Sequence, residues 1–233
     1  MRSRCRSPLL DDRQPKAEHW DIVRWSLLRV SYQMEIDLTR PDKLYRYSEM
    51  QWLRRSLQLG EFRLRPASEY TDMEEATART DNERHRKIVL RNPTITNVST
   101  GQPIIPLGDV VMHTDTNTDY LTLCFATLYS DHFYHDFVGS DACLVIHEPN
   151  EFFNRFYKAL EDVIPRSWGA ADSAVSYGAK SKLGAAFTKD ERFLFQFEWR
   201  FACIPPVQVE KCSAVMVSIG NIEDIAEIVV KSK

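Results

Sequence analysis

The stretch Gln196-Phe197-Glu198-Trp199-Arg200 sets an amide, a carboxylate and a guanidinium at alternate positions. On an extended strand these groups stand on one face, roughly 7 Å apart at a rise of about 3.3 Å per residue. A carboxylate fixed in this way stabilises positive charge that develops on a substrate, and a guanidinium holds a phosphate. A second constellation, Leu44-Tyr45-Arg46-Tyr47, sets one arginine between two tyrosines. Its guanidinium suits a phosphate, and the ring of Tyr45 or Tyr47 suits stacking on a base or a nicotinamide. A third, Asp131-His132-Phe133-Tyr134-His135-Asp136 with His147 downstream, offers imidazole and carboxylate ligands for a divalent ion, the equipment of a metal-dependent nuclease. No further ligand converges there by spacing, so the expectation is no metal. Each group also has a plainer explanation: a half-buried strand with a wet outer face, a surface arginine packed along its stem, histidines on an exposed turn.

The elements that must carry these residues follow from periodicity. Phe193, Phe195, Phe197, Trp199 and Phe201 alternate with Leu194, Gln196, Glu198 and Arg200, which predicts a central strand over Phe193–Phe201. Its aromatic face is expected to be buried, with Glu198 at the rim of the core, so that Glu198→Gln leaves folding nearly intact. Lys43–Tyr47 reads as a strand, and Ser48 with Gln51 has capping-box spacing for a helix over 49–59 that stops at Gly60. Glu61-Phe62-Arg63-Leu64-Arg65 alternates as a strand. The charged run 72–88 reads as a solvated helix. Further strands are expected at 120–126, 142–146, 174–177 and 212–219, with strand or helix at 222–230. A helix carrying Phe152, Phe153, Phe156, Tyr157 and Leu160 is expected to be capped by Asn150. Strands and helices do not alternate throughout, which predicts an α+β fold with a mainly antiparallel or mixed sheet core and flanking helices. The expected division is an N-terminal extension over 1–40, partly disordered with a short helix near 22–32, and one α+β domain over 41–233.

The chain has 233 residues, 43% hydrophobic and 27% charged, the profile of a globular protein, and a formal net charge of −3. No global basic field draws it to nucleic acid or to an anionic surface, although a local patch is compatible with that total. The cysteines Cys5, Cys124, Cys143, Cys203 and Cys212 are scattered and form no CxxC pair. Cys124, Cys143, Cys203 and Cys212, in or beside apolar runs, read as small buried thiols in a reducing compartment, and with no apolar run of spanning length the expected location is cytoplasmic, away from membranes. There is no GxGxxG, no phosphate-loop lysine motif and no GxSxG elbow.

Leu44-Tyr45-Arg46-Tyr47, then Leu123-Cys124-Phe125-Ala126-Thr127, then Asp141–Ile146, then Lys189 with Gln196-x-Glu198-Trp199-Arg200, taken in order, resembles the arginine–serine–glutamate pattern of ADP-ribosyltransferases. It is most similar to a bacterial family that includes abortive-infection, phage-defence proteins. The resemblance covers scattered blocks between about 43 and 205, and their order carries it. It implies an ADP-ribosyltransferase-like fold and an NAD-dependent transfer of ADP-ribose to an unknown acceptor, protein or nucleic acid, by a toxin-like defence effector. NAD would be the substrate. Arg46 matches the arginine that holds the NAD pyrophosphate, with Tyr45, Tyr47, Thr127 and Tyr134 as further NAD-binding positions. Glu198 matches the catalytic glutamate, and Gln196 the residue that helps choose the acceptor. Phe125-Ala126-Thr127 stands where Ser-Thr-Ser is expected. That departure favours the alternative of a catalytically inactive binding or regulatory protein on the same fold.

Overall fold

In the computed structural model, which describes residues 39–71, 85–91, 93–97, 99–116, 118–178 and 181–231, the arrangement is set by what pairs with one strand. In chain order the elements are β1 (Leu44–Ser48), α1 (Met50–Leu59), β2 (Glu61–Pro66), α2 (Ser68–Thr71), β3 (His85–Leu90), β4 (Ile95–Thr96), β5 (Pro103–Ile104), β6 (Val110–Asp115) and β7 (Leu121–Ala126). There follow α3 (Phe133–Asp136), β8 (Ala142–Ile146), α4 (Pro149–Leu160), β9 (Gly169–Ala174), β10 (Ser176–Tyr177), β11 (Thr188–Lys189), β12 (Glu198–Ile204), β13 (Val215–Ser218) and β14 (Ala226–Val230). The chain is α+β with a mostly antiparallel sheet.

β7 is the pivot. Along one edge it pairs with β12 over its whole length, from Glu198↔Ala126 to Cys203↔Leu121, and β12 in turn pairs with β9. Along the other edge it meets β1 at Tyr45↔Ala126 and β2 at Arg65↔Thr122 and Pro66↔Leu121. Between those contacts the sheet forks. One branch runs β1-β8-β14 and the other β2-β13.

The branches are held apart by what packs between and beneath them. α1 leaves β1 and returns into β2 through Gly60, which sits in the left-handed region at φ 65 and donates its N–H to the Arg55 carbonyl. A side chain there would run into the backbone of Gly220. Below the fork, α4 presents Phe152, Phe153, Phe156 and Leu160 at i, i+3, i+4 spacing to Phe62, Phe125 and Phe201. Each such fully buried ring contributes roughly 1.5–3 kcal/mol. One ionic network ties the layers: Asp172 accepts from Arg40 (2.8 and 2.9 Å), Tyr157 (2.8 Å) and the Trp199 indole (3.0 Å).

Several expectations need correction. Phe193–Phe197 is not strand: Glu191–Gln196 is a 3-10 helix, Asp190 accepts from the Arg192 N–H to start it, and Phe197 closes it at φ 44. A 3-10 helix has period 3, so Phe193 and Gln196 turn inward while Phe195 and Phe197 stay 41% and 44% exposed. The strand begins at Glu198, and Trp199 and Phe201 alone carry the buried aromatic face. The helix expected over 72–88 fails where it is described, since His85–Leu90 is β3, paired with β6; 72–84 lie outside the described residues. The extension over 1–38, with its expected helix, also lies outside them. The capping box is replaced by a long-range contact: the Met50 N–H donates to Asp141 Oδ1 (2.6 Å). Glu148, not Asn150, precedes α4, and Pro149 opens it. Among the described residues no helix is long and apolar enough to cross a membrane.

Gly60→Ala is expected to destabilise the protein by more than about 1–2 kcal/mol, the usual cost of a left-handed non-glycine residue, because the Gly220 backbone adds a clash. Urea unfolding of the two proteins measures it, and equal midpoints would show that the α1–β2 turn does not constrain the fork.

Candidate functional site

Where β1 and β2 part, that edge of β7 has no strand beside Cys124, and a carbonyl left there without a partner is costly. Arg46 fills that place: its Nη1 donates to the Cys124 carbonyl at 3.1 Å, and its guanidinium lies 5.9 Å from the centre of the Phe125 ring. The fork therefore opens into a cavity of about 200 Å³ whose wall includes Arg46, Arg65, Lys189, Gln196 and Glu198. Arg46 and Glu198, far apart in sequence, line one cavity. Tyr45 and Tyr47 line it as well.

Thr127 and Tyr134 do not reach the wall. The Thr127 N–H donates to the Phe197 carbonyl (2.8 Å), pinning the end of β7 to the turn that delivers Glu198. Tyr134 is 3% exposed, packs edge-on against Tyr47 with ring centres 5.1 Å apart, and donates to the Val229 carbonyl at 3.3 Å. It stands behind a cavity-lining ring rather than in the cavity.

Glu198 is not at a wet rim. The chain from Ser181 to Gln196 folds over that face of β12, so Glu198 is 5% exposed and Arg200 0%. Each carboxylate oxygen takes one cation: Oε1 accepts from Arg200 Nε (2.6 Å) and Oε2 from Lys189 Nζ (2.7 Å). Gln196 Oε1 accepts a further Lys189 hydrogen bond (2.6 Å), which fixes the ammonium. Arg200 is secured from behind by the Ala186 carbonyl (2.8 Å). The parallel pairing Tyr177↔Lys189 brings Tyr177 alongside, and its hydroxyl accepts the Glu198 N–H at 2.9 Å. Burial alone would push the Glu198 carboxyl up, but the charges of Arg200 and Lys189 and their hydrogen bonds outweigh it and hold the carboxyl far below the usual carboxylate range. Burial pushes the Tyr177 phenol up, and the charge of Glu198 adds to that, so the hydroxyl stays protonated.

The lysine, two arginines and tyrosine of this site have different histories in the sequence. Lys189 is part of the resemblance without a stated role, and Arg200 shares the alternation that marks Glu198. Arg65 ends the alternating run of β2; it is half-buried, lines the cavity, and its side chain makes no hydrogen bond or ion pair with another described residue. Tyr177 has no local signal, because its role depends on a strand pairing.

The third constellation does not assemble a centre. His132 Nε2 lies 3.6 Å from Asp136 Oδ1 at an exposed turn, and His147 pairs with Glu227 at 3.0 Å. Among the described residues no group of three or more His, Cys, Asp or Glu side chains is placed to hold a metal ion. The thiols of Cys143 and Cys203, buried among apolar neighbours, are pushed up to about 12 and are not poised as nucleophiles. Comparison of the chain with protein-family models, with curated proteins and with solved structures returns no match.

The buried ions correct the expectation for Glu198→Gln. Removing the carboxylate leaves Lys189 and Arg200 facing each other without a counter-charge, and losing one partner of a buried pair costs about 3–5 kcal/mol. The double variant Lys189→Met/Glu198→Gln removes one charge of each sign and is expected to recover a large part of that loss, read by chemical denaturation. Because the folded carboxyl titrates below its unfolded value of roughly 4.3, its contribution to stability is complete above that pH and is lost as pH falls below it. The double variant is expected to show a shallower loss of stability between neutral pH and pH ~3 than the wild type. Parallel curves would place the acid sensitivity elsewhere.

Proposed function

We propose that the forked sheet holds a phosphate-bearing nucleotide substrate and that this substrate is NAD, cleaved for transfer of its ADP-ribose to an acceptor. The observation that carries the reading is that Arg46 and Glu198 line one cavity, as the resemblance to ADP-ribosyltransferases requires of an anion holder and a carboxylate. Arg46 and Arg65 supply forked guanidinium donors suited to phosphate oxygens. Tyr45 and Tyr47 supply aromatic edges and faces in the same wall.

In this reading the bond from the ribose C1′ to nicotinamide breaks, and nicotinamide leaves with the electron pair. Positive charge develops on the ribose. A nucleophilic atom of the acceptor donates its pair to C1′ and gives its proton to solvent. Glu198 keeps its negative charge at any physiological pH and is held rigidly. A carboxylate has about four lone-pair positions, and the hydrogen bonds from Lys189 and Arg200 use two, leaving capacity to accept a ribose hydroxyl. Gln196 acts through Lys189 as a positioning residue. A place in phage defence rests on the resemblance alone.

A second reading is a binding or regulatory protein without catalysis. One specific observation favours it: the two cations on Glu198 oppose its field at the point where a transition state would use it. The cationic cavity serves ligand binding equally well in that case.

Titration calorimetry with NAD and an assay of released nicotinamide separate these readings. NAD binding by the wild type is expected, and Arg46→Lys is expected to weaken it about tenfold to a hundredfold, the equivalent of one charge-assisted hydrogen bond of ~1.5–3 kcal/mol. Unchanged affinity would remove Arg46 from the site. Nicotinamide release that persists in Lys189→Met/Glu198→Gln would end the role assigned to Glu198, and binding with no release in the wild type would establish the second reading.

A further inference from the structure

The first cavity shares a wall with a second, larger one. The second has a volume of about 370 Å³, lies between α1 and β2, and is lined by Arg46, Arg55, Arg63, Arg65, Trp52 and Met216 among others. Arg46, Arg65 and Trp52 belong to both, so the two spaces meet at the fork in the sheet. The second is the more basic: Arg46, Arg55, Arg63 and Arg65 line it against one acid, Glu61, in a chain whose formal net charge is −3. That contrast makes the arginines a local feature rather than a sample of a basic surface.

Two of these arginines are held weakly. Arg55 pairs with Glu61 at 2.7 Å and Arg63 with Glu69 at 3.2 Å, both exposed pairs of the kind that contribute little and exchange readily for a better anion. The Arg65 side chain has no hydrogen-bond or ion-pair partner among the described residues. The alternation of β2 puts Arg63 and Arg65 on one face, about 7 Å apart. Beside them Trp52 is 54% exposed, an indole face left in solvent on a helix whose other side packs into the core. Cationic forks next to an open aromatic face are the elements that hold the phosphate and stack the base of a nucleotide unit.

We propose that the second cavity is a separate nucleotide subsite, occupied at the same time as the first, with Arg63 on the phosphate, Arg65 shared between the two cavities, and Trp52 against the base. Its occupant is a mononucleotide or a nucleotide of a single-stranded nucleic acid. Its use as the acceptor subsite rests on the reading of the first cavity as the NAD site; the binding itself does not.

Fluorescence anisotropy with a labelled ten-residue oligothymidylate, and titration calorimetry with thymidine monophosphate, distinguish the two sources. Binding of either is the expected result, and binding of the oligomer alone assigns the site to a strand. Trp52→Ala and Arg63→Ala, at side chains that are about half exposed, are each expected to weaken binding about tenfold while melting temperature stays close to that of the wild type. Arg63→Ala is also expected to flatten the dependence of log affinity on log salt by about 0.7 if the occupant is a strand. Failure of both probes to bind at low salt, or binding that ignores both substitutions, overturns the proposal. So does polyglutamate binding as tightly as the oligomer with no dependence on Trp52, which would mark a generic basic patch. Saturating NAD is expected to leave the oligomer or nucleotide bound; full displacement would make the two cavities one site and overturn the separate subsite. Absence of NAD binding, with probe binding and its dependence on Trp52 and Arg63 intact, would remove the function proposed above and leave this subsite standing.

Discussion

A strand has two edges, and β7 gives one of them to β12 and divides the other between β1 and β2. The divided edge is the constraint on which the rest of the site depends. Backbone groups exposed in the fork need partners, and Arg46 meets that need at the Cys124 carbonyl. An arginine used in this way brings a cation to the base of an opening that the topology has already made. Arg65, at the point where β2 rejoins β7, brings a second one. The fork thus makes both the space and the sign of its charge.

The polar face of β12 shows the same economy in a different medium. Glu198 and Arg200 sit on the side of the strand opposite Trp199 and Phe201, and both sides are buried. A charged face under cover survives because it is internally matched: one carboxylate between two cations, with Gln196, Tyr177 and the Ala186 carbonyl taking further hydrogen bonds. Of that triplet Lys189 and Glu198 line the cavity, alongside Arg46 and Arg65, while Arg200 stays buried behind them. An anion is therefore the ligand sign that the site favours, and the carboxylate provides a fixed polar contact within a cationic surround.

Much of the fold is readable where a single period governs one face. β2 alternates, β8 is a continuous apolar run buried at every position, and α4 repeats its phenylalanines at helical spacing. The aromatic run before Glu198 misleads because Phe193, Phe195 and Phe197 satisfy period 2 in sequence, whereas the Asp190 cap starts a 3-10 turn that the alternation does not reveal. The pairing of Arg46 with Glu198 in one site is suggested by family-like order and not by spacing, since it needs β12, β7 and β1 side by side. The burial of Glu198 is invisible locally, because the segment that covers it reaches that face of β12 only through the fold. Arg65 looks like any outward residue of a strand until the fork gives it a cavity to face.

The central claim is that the fork is an anion site built on Arg46 and Arg65. A crystal structure of the protein with ADP-ribose tests it most directly. Phosphate oxygens within about 3 Å of both guanidinium groups, with the ribose toward Glu198, is the predicted result. A ligand bound with its phosphates away from the fork, while Arg46 keeps its contact to the Cys124 carbonyl and Arg65 faces solvent, would contradict the account.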